Sequence, residues 1–361
     1  MIIAQDRIEV RAQDRARLQQ RILEDYLPGA ARRGLAFVDA WISPPFALVD
    51  QPVSLFVRWQ VTDIQAWWAM RSAANDPAVP AFWASIAPLV VSRERRYLVA
   101  EPLDVGRPGG AGRAPEADWR APVETASFRA MPRGWRETVQ LHLESAGGPD
   151  DVRRVAERLA AAANALPGID AAWIAPNYVA DYGAGHLTWD LRFSDRGAAE
   201  HARQSPIWRR EIAPLLADAC RSWTALGLEE VGTGLRRPDL KEGVKRTALF
   251  RALPGVAPSL IARWEQDLLE MPAHVTAIVN WRLARAIALA WSKSEVPPWT
   301  HVWEQEYATL EGLTVDYMVH PHHWAHVDRW FDPESGSQII DTALCHAFSP
   351  LAGTILGRDA R

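Results

Sequence analysis

The chain has 361 residues, a net charge of −4, 48% hydrophobic residues and 23% charged residues. That balance excludes a disordered chain, and the lack of a basic excess argues against nucleic acid as a partner. The two cysteines, Cys220 and Cys345, exclude a disulfide framework and a cysteine-based zinc site. No apolar run reaches the ~18 residues of a membrane-crossing helix. The start, MIIAQDRIEV, has no apolar leader core, so a cytoplasmic protein without membrane contact is expected.

In chain order, IIAQDRIEV alternates like a half-buried strand, and a helical pattern follows over 15–33 with Leu18, Ile22 and Leu27 on one side. LAFVDAWI and VSLFVRWQV read as strands around the turn-rich SPPFALVDQP. Asp63 is a plausible N-cap for a helix carrying Trp67 and Trp68, and RRYLVAEPL closes this set as a strand. The stretch 104–134 is rich in Gly, Pro and Ala and reads as a linker, as does 233–243. A second set follows: strands TVQLHLE, IDAAWIAP, LTWDLRF and SWTALGLEEV, with helices over 149–165 and 196–217. The third has strands VKRTALFR, AIVNWRLARAI, THVWEQEYA and IIDTALCHAF, a helix over 257–269 and a helical region from Leu310.

The three sets rhyme. Pro77, Pro206 and Pro321 each precede a Trp and an apolar helical stretch, and Trp59, Trp189 and Trp303 sit on equivalent strands. The expectation is an α+β chain of three tandem ferredoxin-like (βαββαβ) repeats at 1–104, 135–232 and 244–361. Each sheet has helices on one face and needs a partner for the other. Two repeats are expected to pair within the chain and the third with its copy, giving a homodimer with sheet pairs of the dimeric α+β barrel type.

Chemistry gathers in the third repeat. Seven of ten histidines follow residue 270, and four lie between 320 and 326. Tyr317 and His323 flank Pro321 at a helix-to-loop corner, and Asp341 is expected to open the last strand, close in the fold if that strand pairs with the one holding His301. Imidazole suits a general base near neutral pH, a carboxylate can fix its tautomer, and a phenol can donate to a carbonyl or enolate oxygen. A metal reading of His322, His326 and Asp328 lacks a supporting motif, and no metal is expected.

The words DYMVHPHH (316–323), WTHVWEQEY (299–307) and the late Asp341 resemble the stress-responsive dimeric α+β barrel (Dabb) family, within it the plant polyketide cyclases. The resemblance spans 244–348. It implies a cofactor-independent acid–base enzyme, a lyase, cyclase or isomerase acting next to a carbonyl of an apolar, aromatic or polyketide-like substrate. His323 is then the general base, Asp341 its orienting group and Tyr317 the donor to the carbonyl. His301, Trp303, His320, Arg246 and Trp324 are expected to contact substrate. A haem-binding oxidase or dehydratase of the same barrel type and a non-catalytic binding protein remain the alternatives.

Overall fold

The computed structural model describes residues 1–46, 51–100, 134–144, 148–181, 183–294 and 296–357. The first linker, apart from Gly134, lies outside the described residues. Two compact units form, Met1–Arg120 with Pro321–Thr342, and Ala121–His320 with Ala343–Arg361.

The first unit contains β1 (Ile2–Arg11), α1 (Arg15–Arg21), α2 (Leu27–Arg32), β2 (Ala36–Ser43), β3 (Pro52–Val61), α3 (Ile64–Ala73), α4 (Ala78–Ile86) and β4 (Val90–Leu98). Its antiparallel sheet has the order β2-β3-β1-β4. Strand side chains alternate between faces. Ala4, Ile8, Leu55, Val57 and Trp59 therefore meet Leu18, Ile22, Trp67, Met70 and Phe82 from the helices. The expected cap is present, for Asp63 accepts from the Ala66 N–H at 2.8 Å. The helix expected over 15–33 is interrupted by a wider turn at Ile22–Tyr26, before Pro28, which has no N–H to donate to that turn.

Segment 321–342, which a linear reading gives to the third repeat, belongs to this first unit. Its Trp324 lies 5.5 Å from Trp67 and joins the apolar core. Asp328 receives Arg71 at 2.5 Å, and buried Glu334 receives Arg33 at 2.7 Å and Arg95 at 2.9 Å. Arg95 also pairs with Asp6 beneath Trp59. The Arg95 N–H donates to Ser335, tying the segment to β4.

The second unit contains β5 (Trp135–Leu143), α5 (Pro149–Asn164), β6 (Ile169–Pro176), β7 (Leu187–Phe193), α6 (Arg196–Arg203), α7 (Ala213–Ala219), β8 (Cys220–Leu235), β9 (Gly243–Phe250), α8 (Pro258–His274), β10 (Ile278–Ala288), β11 (His301–Tyr307) and β12 (Cys345–Leu351). One eight-stranded sheet runs β12-β9-β11-β10-β8-β5-β7-β6. Both halves repeat the ferredoxin-like order 4-1-3-2 found in the first unit. They join where β8 pairs with β10, from Leu235↔Asn280 to Leu226↔Ala288. Gly227 and Gly234 on β8 leave space that the rings of Trp135 and Trp281 fill; a Cβ at either would clash with them.

The two outer edges approach each other. The Tyr178 N–H, just past β6, donates to Phe348 on β12 at 2.8 Å, and Trp173 packs on the cluster of Leu240, Val279, Leu351 and Ile355. The sheet is thus rolled into a nearly closed barrel.

The expected start of the last strand needs correction, and the condition on its partner is not met. It begins at Cys345, so Asp341 precedes it, and it pairs with β9 rather than with the strand of His301. The cause is the fold-back of 321–342. The N–H groups of Ile339 and Ile340 both donate to Trp330 at 3.0 Å and so are not available to a sheet ladder. Among the described residues no helix is long and apolar enough to cross a membrane.

Candidate functional site

The sequence-predicted residues divide between the two units. Tyr317, Arg246, His301, Trp303 and His320 belong to the second; His323, Trp324 and Asp341 belong to the first. Tyr317 and His323 stand on helical turns at Gly312–Tyr317 and His322–Val327, either side of Pro321.

On the helix-covered face of β9 and β11, Tyr317 is buried edge-on to Tyr307 at 5.9 Å, with the Arg246 guanidinium over its ring at 5.3 Å. Arg246 donates to Gln305 at 2.5 Å and lies 3.2 Å from His346 Nε2. His301 has both nitrogens engaged, Nε2 with Glu265 at 3.1 Å and Nδ1 with Thr300 at 2.9 Å, and its ring stands against Trp264. Burial lowers the His301 pKa more than Glu265 raises it, so the imidazole is neutral near pH 7. Trp303 is buried like Trp59 and Trp189 on the equivalent strands, which marks a packing position. His320 is half-buried, and burial and then His274 lower its pKa.

In the first unit the His323 ring lies 5.0 Å from Trp68, and Trp324 is core. The metal alternative loses its third ligand, because Asp328 is buried against Arg71. Among the described residues no three His, Cys, Asp or Glu side chains converge as a metal site.

A site that the residue pattern did not disclose lies in the barrel. A cavity of about 600 Å³ is lined by Gln140 and His142 from β5, Arg221, Ser222 and Thr224 from β8, Leu249 from β9, Arg251, Ser294, Pro297, Trp299, Leu344 and Cys345. On β5, Val139, Leu141 and Leu143 face the helices. Arg136, Thr138, Gln140 and His142 consequently face the barrel interior. A run of polar residues alternating with core residues was the available signal, but it reads equally well as a solvent face.

Gln140 Nε2 donates to Thr188 at 3.0 Å, and the Thr188 hydroxyl donates to Asn177 at 2.8 Å, which fixes the amide. Burial, then the nearby charges of Arg221 and His186, lowers the His142 pKa, leaving a neutral imidazole at neutral pH. Burial pushes the Cys345 thiol up to about 12 against a smaller pull from Arg246. That thiol is protonated and is no nucleophile.

Elsewhere in the barrel Lys245 donates to Asp190 at 2.7 Å. Four strands separate β9 from β7 in the sheet order, so this bond crosses the barrel interior. Lys245 also lies 2.9 Å, and Arg136 3.0 Å, from Glu304. Burial alone would raise the Glu304 carboxyl, but Arg136, Lys245 and Arg282 hold it down to about 2.

No protein-family model and no curated protein matches this chain. Among solved structures it is similar to an anthrone oxidase-like protein, at 9% identity and TM-score 0.47 over 61% of this chain and 91% of that one. It is also similar to a NIPSNAP domain protein from Burkholderia xenovorans, at 19% identity and TM-score 0.24 over 30% and 100%. A Dabb family protein with a ferredoxin-like fold from Mesorhizobium loti matches at 15% identity and TM-score 0.25 over 27% and 99%. Likeness at this level carries no argument about function, which rests on the chain's own geometry.

Proposed function

We propose that this chain is a small-molecule-binding protein of enzyme type, built from three tandem ferredoxin-like copies, with 321–342 packed on the first. The second and third copies close a barrel within one chain, and the first pairs with its copy in a homodimer. The ligand is apolar and of aromatic size, and it occupies the barrel cavity. The cavity itself carries this reading: about 600 Å³, with Leu249, Val296, Pro297, Trp299 and Leu344 as apolar wall and Gln140, His142, Arg221, Ser222, Thr224, Arg251 and Ser294 as polar groups. Its volume falls in the range of about 300–1,000 Å³ common to small-molecule sites.

A second reading places cofactor-free acid–base chemistry at Tyr317. It is favoured by the Arg246 guanidinium over the Tyr317 ring, a cation beside a phenol that could donate to an enolate oxygen.

The two readings separate by mutation. Leu249→Trp fills the cavity and should abolish quenching of tryptophan fluorescence by aromatic ligands while the far-UV spectrum stays unchanged. Wild-type binding by that variant would refute the cavity as the site. On the second reading Tyr317→Phe lowers turnover by about 100-fold or more, and full turnover by that variant would remove it. A Soret band in the purified protein would replace both with the haem alternative.

A further inference from the structure

We infer that the helix-covered face of β9 and β11 holds an anion site, in which Arg246, the Gln305 amide and the Tyr307 hydroxyl receive the carboxylate of a small organic ligand. This rests on the second reading's choice of a site at Tyr317, not on the chemistry proposed there. All three residues belong to the second unit. Gln305 and Tyr307 are two apart on β11, and Arg246 lies directly across from Gln305 on β9, so the three side chains share one face.

Among the described residues six lysines and arginines are buried: Arg71, Arg95, Arg136, Lys245, Arg282 and Arg246. The first five pair with carboxylates, on Asp328, Asp6, Glu304, Asp190 and Glu230 in turn. Arg246 forms no ion pair among the described residues. Its contacts are the Gln305 amide oxygen at 2.5 Å, a ring nitrogen of His346 at 3.2 Å and the face of Tyr317 at 5.3 Å. A buried charge without a counter-charge has lost its hydration and gained no ion pair in exchange. Two acidic neighbours stay neutral and do not supply that counter-charge. Burial, then Tyr317, raises the Tyr307 phenol well above its ordinary range against a smaller pull from Arg246. The Cys345 thiol, pushed up to about 12, is protonated as well.

Two further donors stand beside the guanidinium. Tyr307 Oη and Gln305 Nε2 are buried with no hydrogen-bond partner, on side chains that are wholly enclosed. Arg246 holds the Gln305 amide by its oxygen, which leaves the amide N–H groups unused next to the charge. A buried donor without an acceptor bears the full cost of its desolvation. One carboxylate answers all three groups: its two oxygens offer about four acceptor positions, and guanidinium presents N–H donors in a fork that matches them. His346 and Phe348, on β12 beside Arg246, are only half-buried, so the site is not sealed on that side. The rings of Phe348 and Tyr317 offer flat apolar surface to the body of the ligand.

The test is calorimetric titration of the full chain with benzoate, benzamide and chloride, each in chloride-free buffer. Benzoate should bind about 10-fold or more tighter than benzamide, the gain of charge-assisted hydrogen bonds over neutral ones, and tighter than chloride, which cannot span the fork. Arg246→Gln and Tyr307→Phe should each weaken benzoate by about 10-fold or more. Tyr307→Phe removes only a hydroxyl that has no partner, so its urea midpoint without benzoate should match wild type, and it carries the test should Arg246→Gln not fold. Benzoate affinity unchanged in Tyr307→Phe and in folded Arg246→Gln overturns the site, and its loss in Leu249→Trp would assign that binding to the barrel. Benzamide or chloride binding as tight as benzoate, or no benzoate binding at millimolar concentration, overturns it too. None of these outcomes bears on the chemistry of the second reading, which the turnover of Tyr317→Phe tests separately.

Discussion

The first unit and the barrel share one strand order and treat the second face of the sheet in opposite ways. Within one chain that face of the first unit is uncovered: Arg58 on β3 reaches across to Asp39 on β2, and both side chains remain about a third exposed. In the barrel the equivalent face turns inward, and Lys245 and Asp190 meet with side chains 1% and 2% exposed. Within a single chain the same alternation of core and polar residues thus makes a solvated pair in one place and a buried network in the other. Water decides the energetic meaning. An exposed pair exchanges hydration for a screened contact, whereas a buried one has no hydration to fall back on when a partner is removed.

The largest effect expected from this contrast is Lys245→Met. It leaves Asp190 and Glu304 short of a cation in the barrel interior and should cost about 3–5 kcal/mol in urea denaturation. Arg58→Met should leave the midpoint where it is; an equal loss in both variants would show that burial does not separate the two pairs.

Acid sharpens the comparison. The folded-state pKa of Glu304 lies near 2, below the ordinary glutamate value of about 4.3. Its ionised form therefore stabilises the fold above about pH 4.3, and that contribution is lost as the pH falls towards 2. The barrel's unfolding midpoint should drop over this window. Glu304→Gln should lower stability at pH 7 and flatten the acid limb; an acid limb as steep as wild type would mean other carboxylates dominate.

The smallest effect is a control that should be equal in both units. Asp63 caps α3 and Asp195 caps α6, each accepting an N–H three residues on at 2.8 Å. Replacing either by Ala should cost about 1 kcal/mol. A large difference between the two would mean the units respond unequally to the same local loss, and the contrast above would need that correction.

Much of the fold was legible residue by residue. Period-2 alternation located the strands, Asp63 announced its helix, and Trp59, Trp189 and Trp303 marked the same strand in three sets; all three are buried. These features are local, set by backbone geometry and by one apolar face. The candidate site was much less legible. Tyr317 and Arg246 do come together, but Asp341 lies outside the strand expected to hold it, because 321–342 packs with the first unit through Trp324, Asp328 and Glu334. The cavity draws on residues from Gln140 to Cys345, and no short window contains it.

The sequence by itself determined the strand and helix pattern, the balance of charge, and the positions where a large ring must be buried. Only the tertiary structure decided which polar strand faces meet water and which turn inward. Alternation records that a strand has two faces; what lies opposite the second depends on whether the sheet rolls round until its outer edges meet, as those of β6 and β12 do.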